Sequence, residues 1–235
     1  MNVLVACEES QRVCIELRNL GHRAFSCDTV ECSGGHPEWH IKGDCTPLLN
    51  GRCKFKTADG TDHEQEGTWD MIIGFPPCTY LTNAGACRLF RTIDKERERE
   101  RDGFKLINVE RLKNGILGRD LFMRILNADC ERIAVENPVP SSIFCLPRYT
   151  QVIQPFEFGH PYTKRTCLWL KGLPMLAPTV YVEPQISWVS GGSKRSNGEP
   201  RDNKGMTFRD SETKSKTFPG IAKAMAEQWG GKANE

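Results

Sequence analysis

Apolar residues gather in short runs of strand length, separated by longer mixed segments. Residues 2–7 (NVLVAC) form a continuous apolar run suited to a parallel strand covered on both faces. From Ser10 to Leu20, Val13, Ile15, Leu17 and Leu20 sit among polar residues ahead of Gly21, which predicts a helix with a glycine stop. His22 to Cys27 returns to a strand pattern and finishes at Asp28. Strand–helix–strand is the opening of a doubly wound sheet. Trp69 to Gly74 is a third buried strand, ended by Phe75-Pro76-Pro77. Arg132 to Glu136 is a fourth, ended by Asn137-Pro138. Gln151 to Phe158 and Arg165 to Leu170 are further strand candidates. Helices are expected over Leu106 to Ala128, interrupted by Gly115 and Gly118, and from Pro219 to Trp229.

Between these elements the pattern is weaker. Residues 29–66 are polar and irregular, with a hairpin expected around Asp59-Gly60. Arg88 to Asp102 is dense in charges of both signs and reads as a solvated helix or loop. Residues 190–216 are rich in Gly, Ser, Lys and Arg and read as an exposed excursion. There is no internal repeat. A chain of 235 residues with 38% hydrophobic content can bury the core of one α/β domain with a small appendage. The net charge of +2 is too small to indicate nucleic-acid binding alone, so phosphate contacts would need local clustering. Eleven scattered cysteines, with no apolar stretch of signal-peptide or membrane-spanning length, fit reduced thiols in a cytoplasm better than a disulfide framework.

In an open α/β sheet, ligands bind at the carboxyl ends of the strands. The most unusual residues fall there: Glu8-Glu9, Asp28, Pro77-Cys78 and Glu136-Asn137. Cys78 follows two prolines, which stiffen the backbone and stop the strand, so its thiol is positioned rather than merely packed. The plain alternative is that it is a small buried hydrophobe, as most free cysteines are. Glu136 closes a buried strand, where a carboxylate needs a partner.

These residues carry a resemblance. DMIIGFPPCTYLTNAGA (Asp70 to Ala86) resembles the Pro-Cys nucleophile motif of DNA cytosine-5 methyltransferases, and VENPV (Val135 to Val139) resembles their Glu-Asn-Val motif with an inserted proline. GHPYTKRTCLWL (Gly159 to Leu170) resembles the later arginine-bearing strand motif. SKTFPGIAKAMAEQW (Ser215 to Trp229) resembles the C-terminal segment that closes the cofactor site. All four occur in the family's order, over most of the chain. The resemblance implies a Rossmann-like class I methyltransferase fold with S-adenosyl-L-methionine as cofactor and DNA as substrate, in a compact phage- or prophage-type enzyme of a bacterial or infected cell. It needs neither a membrane nor an obligate protein partner. It implies that Cys78 adds to C6 of cytosine, and that Glu136 bonds the N3 and amino edge. Lys164 and Arg165 would hold the base or its phosphate. Residues 1–172 would form the catalytic and cofactor-binding core, 173–214 a short recognition region and 215–235 a returning helix. On the cofactor side, Asp28 would contact the ribose and Gly43-Asp44 would flank the adenine; Gly74 and Pro76 are further cofactor-binding candidates.

The chain departs from the family in three places. The glycine-rich loop after the first strand is replaced by Ala6-Cys7-Glu8-Glu9-Ser10, where a carboxylate could meet the methionine amino group instead. Aligned on Gly159-x-Pro161, the family's Gln and two Arg positions become Tyr162, Lys164 and Thr166. The short interval before the C-terminal motif holds Trp188, Lys194, Arg195, Arg201, Lys204 and Arg209, which suits phosphate contact more than base readout. Two other readings follow: the same chemistry on a nucleotide or single strand, or a methyltransferase-like nucleic-acid binder without catalysis. A zinc site among Cys27, Cys32, His36, His40, Cys45 and Cys53 is a rival constellation, but close Cys-x2–4-Cys pairs are missing. A packed loop anchored by Trp39 is preferred, with no metal.

Overall fold

The computed structural model describes residues 1–86, 88–91, 106–187 and 216–232. Strand β1 (Asn2–Ala6) leads into a first helix (Arg12–Asn19), then β2 (Arg23–Asp28) and β3 (His40–Lys42). A hairpin, β4 (Cys53–Lys56) and β5 (Asp62–Gln65), precedes β6 (Met71–Gly74). A short helix (Asn83–Ala86) and the pair β7 (Phe90–Arg91) and β8 (Leu106–Ile107) lead to the long helix Val109–Leu126. Then come β9 (Ile133–Pro138), β10 (Gln151–Ile153), β11 (Tyr162–Thr163), β12 (Thr166–Lys171) and β13 (Ile186–Ser187). The C-terminal helix is Pro219–Met225, continued by a wider turn over Ala226–Gly230.

Seven strands form the central sheet in the order β3-β2-β1-β6-β9-β12-β10. The pairs from β3 to β9 are parallel, while β12 runs against both β9 and β10. This is a Rossmann-like, mostly parallel doubly wound α/β sheet. Alternation along β1 explains its unbroken apolar run. Val3 and Val5 face the first and C-terminal helices, packing with Leu17, Ala222 and Met225. Leu4 and Ala6 face the other layer, with Phe122 and Ile125 of the long helix. A strand covered on both faces needs apolar residues at every position.

Several boundaries move, each for a local reason. The first helix starts at Arg12 because Gln11 is left-handed (φ 57°), and it stops at Gly21 (φ 86°) as expected. Leu106 and Ile107 belong to a strand, while Asn108 accepts from the Arg111 N–H and caps the long helix. That helix runs through Gly115 unbroken: a Cβ there would lie 2.1 Å from the Phe144 ring, so the glycine admits the ring rather than breaking the helix. The strand expected over Gln151–Phe158 ends at Ile153, because Pro155 opens a 3-10 turn (Pro155–Glu157). Most of the charged stretch expected over 88–102 and of the excursion over 190–216 lies outside the described residues. So do Trp188, Lys194, Arg195, Arg201, Lys204 and Arg209.

Candidate active site

The carboxyl ends of β1, β2, β6 and β9 open on a cavity of about 410 Å³. One side is lined by Cys7, Glu8, Glu9 and Ser10 after β1 and by Asp28 at the end of β2. The other is lined by Phe75, Pro76, Pro77, Cys78 and Thr79 after β6, with Glu136, Pro138 and Lys164. Lys216 and Thr217, just before the C-terminal helix, complete it.

Glu8 shapes the first side. Its carboxylate is buried and accepts the N–H groups of Val13 (2.7 Å) and Cys14 (3.2 Å), the first turn of the first helix. A side chain thus satisfies donors that a helix end leaves free, in the place of a glycine loop. Burial pushes the Glu8 pKa up to about 8, against the lowering effect of the two N–H bonds. The sign for stability follows. A folded pKa above the unfolded value of 4.5 means that Glu8's contribution is complete below pH 4.5 and is lost as pH rises toward 8. Glu8→Gln should flatten the fall of stability between pH 5 and 8 by roughly 1 kcal/mol per pH unit. Chemical denaturation of both proteins across that range checks this; equal slopes would show that Glu8 does not titrate there.

Around Glu8 the loop is tied to its surroundings. Gln11, fully buried, donates to Ser26 Oγ and the His36 carbonyl and accepts from the His36 N–H. The Glu9 carbonyl accepts from Ser33 N (2.8 Å), and Lys216 Nζ lies 3.0 Å from Ser33 Oγ and 3.7 Å from a Glu9 oxygen. Arg12 donates to the Thr217 carbonyl. The segment before the C-terminal helix is thereby fastened across the cavity. Asp28 Oδ1 accepts from Val30 N (3.2 Å) and Thr29 Oγ1 (3.3 Å).

On the second side, Phe75 N makes a last sheet bond to the Ala6 carbonyl (2.9 Å) before the prolines end β6. The Cys78 carbonyl then accepts from Leu81 N (3.1 Å) and Thr82 N (3.3 Å), turning the chain into the short helix. Burial raises the Cys78 pKa, Glu136 raises it further, and Lys164 opposes both. Burial also raises the Glu136 pKa, again opposed by Lys164. The thiol, the carboxyl and the ammonium therefore act on one another.

The turn after Cys78 is braced from the long helix. The Arg111 guanidinium lies 4.9 Å from the Tyr80 ring centre and donates to the Gly85 carbonyl (3.1 Å), and Asn114 reaches the Tyr80 hydroxyl. Arg111→Ala should loosen this turn and slow any reaction of Cys78 by roughly tenfold, about 1.4 kcal/mol. The cavity wall should keep its lining residues, because Arg111 is not one of them. Timed alkylation of Cys78 with iodoacetamide, followed by peptide mapping, measures it; an unchanged rate would remove Arg111 as a brace.

Of the expected site residues, Cys7, Glu8, Glu9, Ser10, Asp28, Pro76, Cys78, Glu136 and Lys164 share the cavity wall. Five do not. Ala6 is buried within β1. Gly74 lies against the long helix, where a Cβ would be 2.7 Å from Ile125. Gly43 donates to the Asp28 carbonyl (2.8 Å), and the Asp44 carboxylate is taken up by Thr46 N and Oγ1. Arg165, adjacent to Lys164, is exposed to solvent. Conversely, Phe75, Pro77, Thr79, Pro138, Lys216 and Thr217 line the cavity without having been singled out as site residues. The C-terminal motif contains Lys216 and Thr217 and was the signal for them.

The Cys/His-rich stretch does not converge: among the described residues no group of three His, Cys, Asp or Glu is placed to hold a metal ion. His40 sits between Ser26 Oγ (2.9 Å) and the Val30 carbonyl (2.9 Å). Trp39 anchors the loop, stacked on His36 at 3.9 Å with the Arg18 guanidinium 5.1 Å from its ring centre. Among the described residues no helix is long and apolar enough to cross a membrane.

The fold and cavity define a Rossmann-like α/β protein with its candidate site at the strand ends. No family model matches the chain, and no curated protein matches it. Among solved structures it is similar to one described as a putative DNA modification methyltransferase encoded within a prophage, from E. coli. The likeness covers 80% of this chain and 53% of that one, at 12% identity and a TM-score of 0.42. The chain thus spans about half the length of that protein.

Proposed function

We propose that the protein transfers a methyl group from S-adenosyl-L-methionine to C5 of cytosine in DNA, through a covalent adduct between Cys78 and C6. The observation that carries this reading is that Cys78, Glu136 and Lys164 line one cavity together with Glu8, Glu9 and Asp28. The carboxylates suit a cofactor that is cationic and bears ribose hydroxyls. Asp28 would take the hydroxyls and Glu9 would attract the amino group, while Glu8 holds the loop to the first helix. When bound, the cofactor supplies the electrophilic methyl group.

The chain's own residues would do the rest. Cytosine C5 is a weak nucleophile until a thiolate adds at C6, so a held cysteine is the first requirement. As Cys78 bonds C6, negative charge moves through the ring toward N3. Glu136, whose pKa burial raises, gives N3 a proton and accepts from the exocyclic amine. Lys164 favours the thiolate over the thiol. Pro76, Pro77 and Pro138 present flat apolar walls to the ring. After methyl transfer the C5 proton leaves, with water as its acceptor, and the Cys78–C6 bond breaks. A cytosine in duplex DNA must be flipped out to reach this depth.

The test is incubation of the protein with S-adenosyl-L-methionine and duplex DNA, single-stranded DNA or a cytidine nucleotide, followed by nucleoside mass spectrometry. 5-Methylcytosine from the duplex is expected. N4-methylcytosine or N6-methyladenine would overturn the C5 chemistry. Methylation of the single strand or nucleotide alone would keep the chemistry and move the substrate.

A further inference from the structure

Cys7 combines a left-handed backbone, which among the described cysteines it shares with Cys145, with a cysteine neighbour. Its φ is 60°, in the left-handed region where glycine is unstrained and a side chain is not. Its sulfur lies 3.9 Å from that of Cys45, which is buried in the loop after β3. Cys7 also lines the cavity, whereas Cys45 is buried and does not.

The geometry points to a modification site: Cys7 and Cys45 form a dithiol, open through the cavity, that low-molecular-weight disulfides of the glutathione type oxidise. The inference rests on the cavity being the cofactor site. The two sulfurs must close by about 1.9 Å to reach a disulfide length of about 2.05 Å. Both arms are held near each other. Glu8 N bonds the Cys27 carbonyl (3.1 Å), beside Cys7. Leu48, three residues past Cys45, has its carbonyl fixed by Trp69 Nε1 (2.6 Å). The contact between the two sulfurs eases loss of the Cys45 proton and hinders loss of the Cys7 one, so access through the cavity, not acidity, makes Cys7 the attacking thiol.

The reaction balances in two exchanges. The pair loses one proton, and the Cys7 sulfur, its hydrogen passed to Cys45, attacks the small disulfide and releases one small thiolate. Cys45 then loses its proton to solvent and attacks the Cys7 sulfur of the mixed disulfide, releasing the second small thiolate. Two protein thiols are oxidised, one disulfide is reduced to two thiols, and the released protons neutralise the thiolates. A ligand lying over Cys7 blocks the first exchange.

The experiment treats the whole protein with glutathione disulfide, with and without saturating S-adenosylhomocysteine, and maps disulfide-linked peptides over time. Calorimetry of the reduced protein establishes whether S-adenosylhomocysteine binds. A Cys7–Cys45 crosslink, formed at least tenfold more slowly with ligand, is expected. Reduced Cys45→Ser should bind the ligand as the parent does, and on oxidation should stop at a mixed disulfide on Cys7. Absence of the crosslink, or its formation between Cys7 and Cys27, overturns the proposal. An unchanged rate under a ligand shown to bind overturns the link to the cavity. If the ligand does not bind the reduced protein, the cofactor reading fails, and with it the link to the cavity; peptide mapping still decides whether the dithiol oxidises.

Discussion

In the presence of S-adenosyl-L-methionine, DNA carrying 5-fluorocytosine should form a stable covalent complex with the protein, and Cys78→Ser should abolish it. Fluorine at C5 cannot leave as the proton does, so the reaction halts with the Cys78–C6 bond in place. The variant keeps the size of the side chain while replacing sulfur by a far weaker nucleophile. Its loss of adduct should be on the order of a thousandfold or more. Burial and Glu136 both raise the Cys78 pKa, so the reactive thiolate is a minority at neutral pH and grows as pH increases. The initial trapping rate should therefore climb with pH through the neutral range. A denaturing gel read against time and pH tests both points. A complex that persists in the serine variant would place the nucleophile elsewhere. Lys164 opposes the rise in the Cys78 pKa, and Lys164→Met should push the climb to higher pH.

The residues legible in the sequence were those whose chemistry is local. Pro76-Pro77 ahead of Cys78 forecasts a strand end and a held thiol from bond geometry alone; the strand ends at Gly74, and Cys78 lies on the cavity wall. The apolar runs of β1 and β6 forecast doubly covered strands for the same kind of reason. What was not legible depended on contacts distant in sequence. Glu8 could be seen at a strand end, but its capping of the first helix requires Gln11 to be left-handed, and no sequence rule forecasts that for glutamine. Lys216 reaches Ser33 and Glu9 across almost the whole chain. Gly115 reads as a helix breaker until Phe144, twenty-nine residues later, fills its place. Gly43 and Asp44 fit a family pattern by position, yet their polar groups are spent on Asp28 and Thr46.

Glu136→Gln is the sharper probe of mechanism, because it separates holding the base from moving a proton. Glutamine can still accept from the exocyclic amine and donate to N3, so DNA affinity should change little. It cannot give up a proton as charge arrives on the ring, so the single-turnover rate should fall by roughly 10²- to 10⁴-fold. Cofactor affinity should stay near normal, as Asp28, Glu8 and Glu9 lie on the cavity's other side. The direction of the Glu136 shift adds a second readout. Burial keeps this carboxyl protonated above the usual carboxylate range, and Lys164 limits how far. In the parent, the rate gained from Cys78 ionisation on raising pH is eventually opposed by loss of the Glu136 proton, which gives a profile with a maximum. In the glutamine variant only the thiol titrates, so the much lower rate should rise with pH and then level off. Turnover equal to the parent's would remove Glu136 from the chemistry. A profile that still turns down in the variant would assign the falling limb to another group.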